Sequence, residues 1–308
     1  MDNIFQYRAY GNIMLFGEYA VIHQGFGICS AIDQSITSTL KLRADSKIML
    51  ETQFGNLDGS LECFPQSEKL DYLCAALEAC RDLMKTGIDL SLDSTIDVFI
   101  GFGSSAATLV STVGVLCNAY GIFDEEVIIQ RTLTALKIVS PLASGCDCVA
   151  SVIGGTVAYN PRTKEKIRYR KSFDITALYC GSKSISVQEI SKLEEKRKED
   201  PITIAKIYQS IDSITQLAMR ALENNDLYRL GELMTMHHHH QVALGTSTPV
   251  LDRLIEILND DPNILGSKIS GAGGGDCVIG LGSTFIQLPI DLDRARVFHL
   301  KTLPGRSM

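Results

Sequence analysis

The chain predicts a protein of two lobes, each combining sheet with helix. Its 308 residues are enough for two packed units of about 150 residues each. Strand-like and helix-like apolar patterns occur in both halves, and 45% hydrophobic with 21% charged residues is the balance of a globular protein able to bury a large core.

The first lobe opens with sheet. Gly11 to His23 is an apolar run with polar residues set inside it, read as a strand followed by a turn and short helix at Gly17-Glu18. Ile28 to Leu42 alternates as a second strand, with Thr37 and Thr39 among its β-branched members. Leu70, Leu73, Leu77, Cys80 and Leu83 recur at helical intervals and predict a helix over 69–84. Thr95 to Ile100 predicts a strand that delivers the loop Gly101-Phe102-Gly103-Ser104-Ser105-Ala106-Ala107, which runs into a helix reaching about Tyr120.

That loop has the make-up of an anion site. Gly101 and Gly103 allow a tight reversal, and Ser104 and Ser105 place hydroxyls where the helix begins. The first amides of a helix have no internal partner and lie at the positive end of its dipole, so a phosphate answers both. A capped core helix would show the same apolar spacing. There is no Walker lysine and no G-x-G-x-x-G fingerprint, which excludes the familiar nucleotide loops.

A helix over 125–139 is stopped by Pro141. The segment from Pro141 to Gly155 then carries one acid, Asp147, in a run of small residues. It is either a helix cap, or a group that takes a proton from a substrate hydroxyl or holds that hydroxyl in line with a nucleotide γ-phosphate.

In the second lobe, 159–164 reads as a turn between strands and 177–180 as a strand. Residues 192–200 form a charged helical face, broken at Pro201. Helices follow over 204–222, 227–244 and 248–258, then strand, glycine loop and strand over 268–281, and a terminal strand and tail over 289–308. His237 to His240 lie inside a helical pattern, where four consecutive side chains splay around the axis; solvated or groove-facing histidines are expected there, not a metal site or a tag.

Charge and cysteine content narrow the partners. A net charge of −7 gives no general attraction to nucleic acid or anionic lipid. Nine scattered cysteines, an odd number with no C-x-x-C pair, suit a reducing cytoplasm. The opening MDNIFQYRAYGN lacks the pattern of an export signal, and no run of eighteen apolar residues occurs. A cytoplasmic protein is expected.

Three blocks, GNIMLFGEYAV at 11–21, GFGSSAA at 101–107 and KISGAGGGDC at 268–277, resemble in order and spacing the three motifs of the GHMP kinase superfamily. SGCDCVASVIGG at 144–155 is similar to the S-G-x-D segment of its mevalonate kinase and phosphomevalonate kinase branch. The resemblance implies an α+β two-lobed fold, with a lobe like ribosomal protein S5 domain 2 over 1–165 and a ferredoxin-like lobe over 166–308, and ATP between them. It implies that Gly101, Gly103, Ser104, Ser105 and Ala106, with Gly271, Gly273 and Gly274, hold ATP, and that Ser105 also holds Mg²⁺. Asp147 would be the catalytic residue, and Glu18, His23, Ser144, Lys183 and Ala272 would line the acceptor.

The acceptor expected is mevalonate, with phosphomevalonate the alternative, since an acceptor phosphate should demand additional Arg or Lys contacts. Another sugar or amino-alcohol kinase of the superfamily, or a nucleotide-binding relative without turnover, is a further alternative. A homodimer is expected from the habit of relatives. Two departures stand out. Asn12 occupies the place of the family's usual lysine, and Leu136 that of a magnesium-binding glutamate. Lys137 or Lys183 could supply the missing charge.

Overall fold

The computed structural model describes residues 4–23, 25–97 and 100–305. The chain forms two compact units: Met1–Gly11, Gln34–Asp97 and Gly103–Ile153 make the first, and Asn12–Asp33, Val98–Phe102 and Gly154–Met308 the second. Strands β1 (Ile4–Phe16) and β2 (Gly27–Leu42) contribute residues to both.

In the first unit, residues 36–42 of β2 pair antiparallel with β5 (Ile88–Ser94). β5 lies parallel to β3 (Lys47–Thr52), which forms a hairpin with β4 (Gly55–Ser60). Helices α1 (Asp71–Ala79), α2 (Ser104–Ala119), α3 (Glu125–Val139) and α4 (Cys146–Ile153) pack on one another. α2 is buried nearly all round from Ala106 to Cys117, which its apolar and small side chains permit. α3 follows its sequence signals: Asp124 caps it by accepting from Glu126 N and Val127 N, two acids occupy its first turn, and Lys137 ends it. Leu136 is 3% exposed and belongs to the core.

In the second unit, a four-stranded antiparallel sheet runs in the order β11 (Arg296–Lys301), β8 (Asp174–Tyr179), β10 (Cys277–Leu281), β9 (Ser267–Ile269). Leu251, Leu254 and Leu258 of α8 (Pro249–Asn259) pack against Leu178, Ile269 and Val278 of this sheet. β6 (Thr156–Tyr159) pairs with residues 27–30 of β2 and with β7 (Lys166–Tyr169). Helices α5 (Ser186–Glu199), α6 (Pro201–Asn224) and α7 (Leu227–Leu244) complete the unit. Tyr208 and Ile211 of α6, Leu193 of α5 and Leu244 of α7 form a core with Tyr19 and Ala20, at the start of the 3-10 turn Ala20–His23.

Three local expectations change. The strand expected over 95–100 is placed earlier, as β5, where Ile88, Leu90 and Leu92 alternate cleanly; Thr95, Ile96, Asp97 and Ile100 are not strand, and Val98 and Phe99 lie outside the described residues. α1 stops at Ala79 instead of reaching 84. Beyond it the chain continues in tighter i to i+3 bonds, Arg81 N to Glu78 O, Leu83 N to Cys80 O and Met84 N to Arg81 O, which preserve the apolar spacing without the α-helix. The expected terminal strand within 289–308 is β11, preceded by a 3-10 turn over Ile290–Leu292, and 306–308 lie outside the described residues. His237 and His238, expected to be solvated or groove-facing, are buried, because α7 turns that face into the second unit.

Candidate active site

The second glycine motif makes a bare helix start. Gly101 and Gly103 have φ of +73° and +71°, a left-handed backbone that L side chains resist. Gly103 is the residue at which α2 begins, so Ser104 is already helical and no side chain caps the end. The serines therefore do not cap the helix in the way their position suggests. Ala107 N is the first amide to bond back, to Gly103 O at 2.9 Å, so the amides of Ser104, Ser105 and Ala106 point beyond the helix.

Around that helix start, the first unit gathers an acid, a hydroxyl and a phenol. The exposed Ser105 and Asp147 both act on the Tyr72 phenol of α1, Ser105 favouring its ionised form and Asp147 opposing it. Burial first, then Asp147, pushes the Tyr72 phenol above its ordinary range. Asp147 lies in the first turn of α4, where its Oδ1 accepts from Cys148 N at 2.9 Å, while Ser144 Oγ accepts from Cys146 N at 3.3 Å. Desolvation outweighs these backbone bonds and raises the Asp147 carboxyl above the usual aspartate range. The result is a carboxylate with a heightened appetite for a proton. Lys137 has a different employment: its Nζ donates to Pro141 O and Ala143 O at 2.8 and 2.7 Å, closing the end of α3.

The second unit holds the other glycine loop. Gly271, Gly273 and Gly274 all have positive φ, and Gly271 N donates to Glu18 Oε1 at 3.2 Å. The Tyr19 hydroxyl donates to Ala272 O, and Gly274 N donates to Thr246 O at 2.8 Å. Among the described residues, no acceptor takes the amides of Ala272, Gly273 or Gly275. Glu18 is 2% exposed, and its carboxylate faces Lys268, His237 and Gly271, all within the protein. His23 hydrogen-bonds Glu194 Oε1 at 2.8 Å and stacks on Tyr208 with ring centres 4.9 Å apart, so it braces α5. Past the loop, Asp276 Oδ1 accepts from Ser184 N at 3.3 Å, and Lys183 draws its carboxyl down while stronger desolvation lifts it to about 6. Asn12 is buried, with its N–H donated to Phe102 O at 3.0 Å.

The structure thus brings Ser105 and Asp147 together around Tyr72, and Glu18, Ala272 and the third glycine loop together in the second unit. Sequence reasoning passed over Tyr72, Lys268 and His237 as participants. Lys268 stands inside the third motif, in the short strand Ser267–Ile269, where its complete burial has no signal in the neighbouring residues. Among the described residues, no three His, Cys, Asp or Glu side chains are grouped to hold a metal, and no helix is long and apolar enough to cross a membrane.

Comparison with known proteins agrees with these motifs. The family described as GHMP kinases N terminal domain matches residues 71–155, and GHMP kinases C terminal matches 218–289. The chain is 30% identical over 273 residues to a mevalonate kinase of Archaeoglobus fulgidus, covering 88% of this chain and 90% of that protein. The fold is similar to the crystal structure of Methanococcus jannaschii mevalonate kinase, with a TM-score of 0.79 at 22% identity over 97% of this chain and 98% of the other. Lactococcus lactis galactokinase complexed with galactose gives 0.82 at 16% identity, covering 98% of this chain and 94% of that one, so the fold alone does not select an acceptor. The chain belongs to the GHMP kinase family, in its mevalonate kinase and phosphomevalonate kinase branch.

Proposed function

We propose that this protein is a mevalonate kinase, an ATP-dependent phosphotransferase that moves the γ-phosphoryl group of ATP to the primary hydroxyl of mevalonate. The observation that carries the choice of acceptor is the 30% identity with a mevalonate kinase across 88% of the chain.

Phosphoryl transfer asks chiefly for positioning and charge neutralisation. The free amides at the start of α2, from Ser104 to Ala106 beyond Gly101 and Gly103, hold nucleotide phosphate, and the amides around Gly271, Gly273 and Gly274 serve the same end. Asp147 accepts the proton of the acceptor hydroxyl as its oxygen forms the bond to phosphorus and the bond to ADP breaks. Its raised pKa suits that task, since a stronger base takes the proton more readily. Tyr72 senses both Ser105 and Asp147.

Mg²⁺ fits this donor set. One carboxylate and one exposed hydroxyl are hard oxygen donors, too few for a protein cage and suited to an ion carried largely by phosphates and water. Ser105 would hold it, and when bound it neutralises phosphate charge. Leu136 supplies no ligand. Ser144 and Lys183 are assigned to the acceptor, Ala272 reaches it through the third loop, and Glu18 and His23 act through their protein contacts. The nine free cysteines accord with a cytoplasmic enzyme.

The test is ADP release measured by a coupled assay over mevalonate, phosphomevalonate, homoserine and free sugars. Release that depends on mevalonate is expected. A preference for phosphomevalonate reassigns the acceptor, and ADP binding without release over the whole panel makes the chain a binder.

A further inference from the structure

Beneath the third glycine loop lies a charged cluster that no step above uses. Lys268 and His237 are 0% exposed and Glu18 is 2% exposed. Lys268 Nζ donates to Glu18 Oε1 and to Ile269 O. The same Oε1 accepts Gly271 N–H at 3.2 Å, and Gln241 Nε2 donates to Gly271 O at 3.5 Å. On the other side, His237 Nε2 accepts Gly17 N–H at 3.1 Å and stands 3.1 Å from Glu18 Oε2. Glu18 is thus gripped by the lysine that begins the third motif and returns that grip to the first amide of its loop.

A buried ion pair is a poor device for stability, since apolar side chains of like volume do as well or better. It is a good device for fixing direction, because each hydrogen bond admits one orientation. Here the fixed object is the peptide at Gly271, whose plane sets where the amides of Ala272 and Gly273 point.

We propose that Glu18 is a positioning residue, held by Lys268, that aims the third glycine loop at nucleotide phosphate through the Gly271 amide and does not touch the acceptor. This rests on the kinase reading above. The residue at 18 matters as an acceptor for one backbone N–H, and its charge matters only because Lys268 is buried beside it.

Two double variants separate these roles. In E18Q/K268M the charges go, yet the Gln oxygen still accepts from Gly271; in E18L/K268M both the charges and the acceptor go. With both variants folded as judged by circular dichroism and Tm, E18Q/K268M is expected within about three-fold of wild type in kcat. E18L/K268M is expected to lose about 100-fold in kcat, the scale of a small misplacement at a reacting centre, with ADP binding weakened about ten-fold. Equal kcat and equal ADP affinity in the two variants overturn the proposal.

Should E18L/K268M fail to fold, hydrogen exchange in the wild-type protein decides. The Gly271 amide is expected to exchange far more slowly than that of Gly273, and equal rates contradict the anchoring. If wild type releases no ADP with mevalonate, the acceptor reading fails while ADP affinity and amide exchange still judge this inference.

Discussion

Gly101 lies against Asp276 so closely that a Cβ at residue 101 would stand 2.9 Å from the Asp276 Cβ and 3.1 Å from its Cγ. Both residues have positive φ, +73° and +58°, so the loop of the second motif and the end of the third are seated on one another by two unusual backbones. Gly101→Ala therefore meets a steric block and a strained conformation together. The strain costs about 1–2 kcal/mol. A lower Tm and at least about a ten-fold rise in the KM for ATP are expected, read by thermal unfolding and initial rates, with the KM for mevalonate less affected.

Asp147→Asn gives opposite outcomes in activity and stability. Loss of the proton acceptor is expected to cut kcat by about 10²–10⁴-fold with little change in ADP affinity. The wild-type carboxyl has a folded pKa raised by burial, so the folded state holds its proton more tightly than the unfolded chain. Its contribution to stability is then present at low pH and lost as pH rises through the folded value. The asparagine form is expected to melt higher than wild type at neutral pH, and the gap to close in acid, as scanning calorimetry across pH would show.

Asp276 makes the same argument with a stated position. Desolvation lifts its carboxyl to about 6, against the opposing pull of Ser184 N–H and Lys183. Stability from this group is complete below the ordinary aspartate value and declines as pH climbs through about 6. Asp276→Asn is expected to flatten that part of the Tm-against-pH curve. An unchanged slope contradicts it.

Tyr72→Phe removes one hydroxyl and leaves the packing. Loss of the phenol that senses Ser105 and Asp147 is expected to lower kcat/KM by about five-fold, the scale of one polar contact. Ser105→Ala is expected to raise the Mg²⁺ concentration needed for half-maximal rate, and the double variant to cost less than the product of the two single losses, because the two groups act on one another.

What the sequence made legible was set by local backbone demands. Gly101, Gly103, Gly271, Gly273 and Gly274 each have φ between +71° and +81°, which is why their spacing identified the two loops. α3 was readable to the residue because Asp124, two following acids and Pro141 mark its ends. The β3–β4 hairpin was invisible: Gly55–Ser60 has no buried alternation and resembles a loop. Tyr72, Lys268 and His237 were hidden for another reason. Glu18 meets Lys268 across 250 positions of sequence and Gly17 meets His237 across 220, and no periodicity encodes a contact of that range.

Product identity judges the whole account most directly. Wild type and Asp147→Asn are incubated with ATP, Mg²⁺ and mevalonate, and phosphorus resonance follows the γ-phosphate. A new phosphomonoester on mevalonate, formed stoichiometrically with ADP by wild type and slowed about 100-fold or more in the asparagine form, is the result expected. An equal rate in both proteins, or γ-phosphate appearing only as inorganic phosphate, contradicts it.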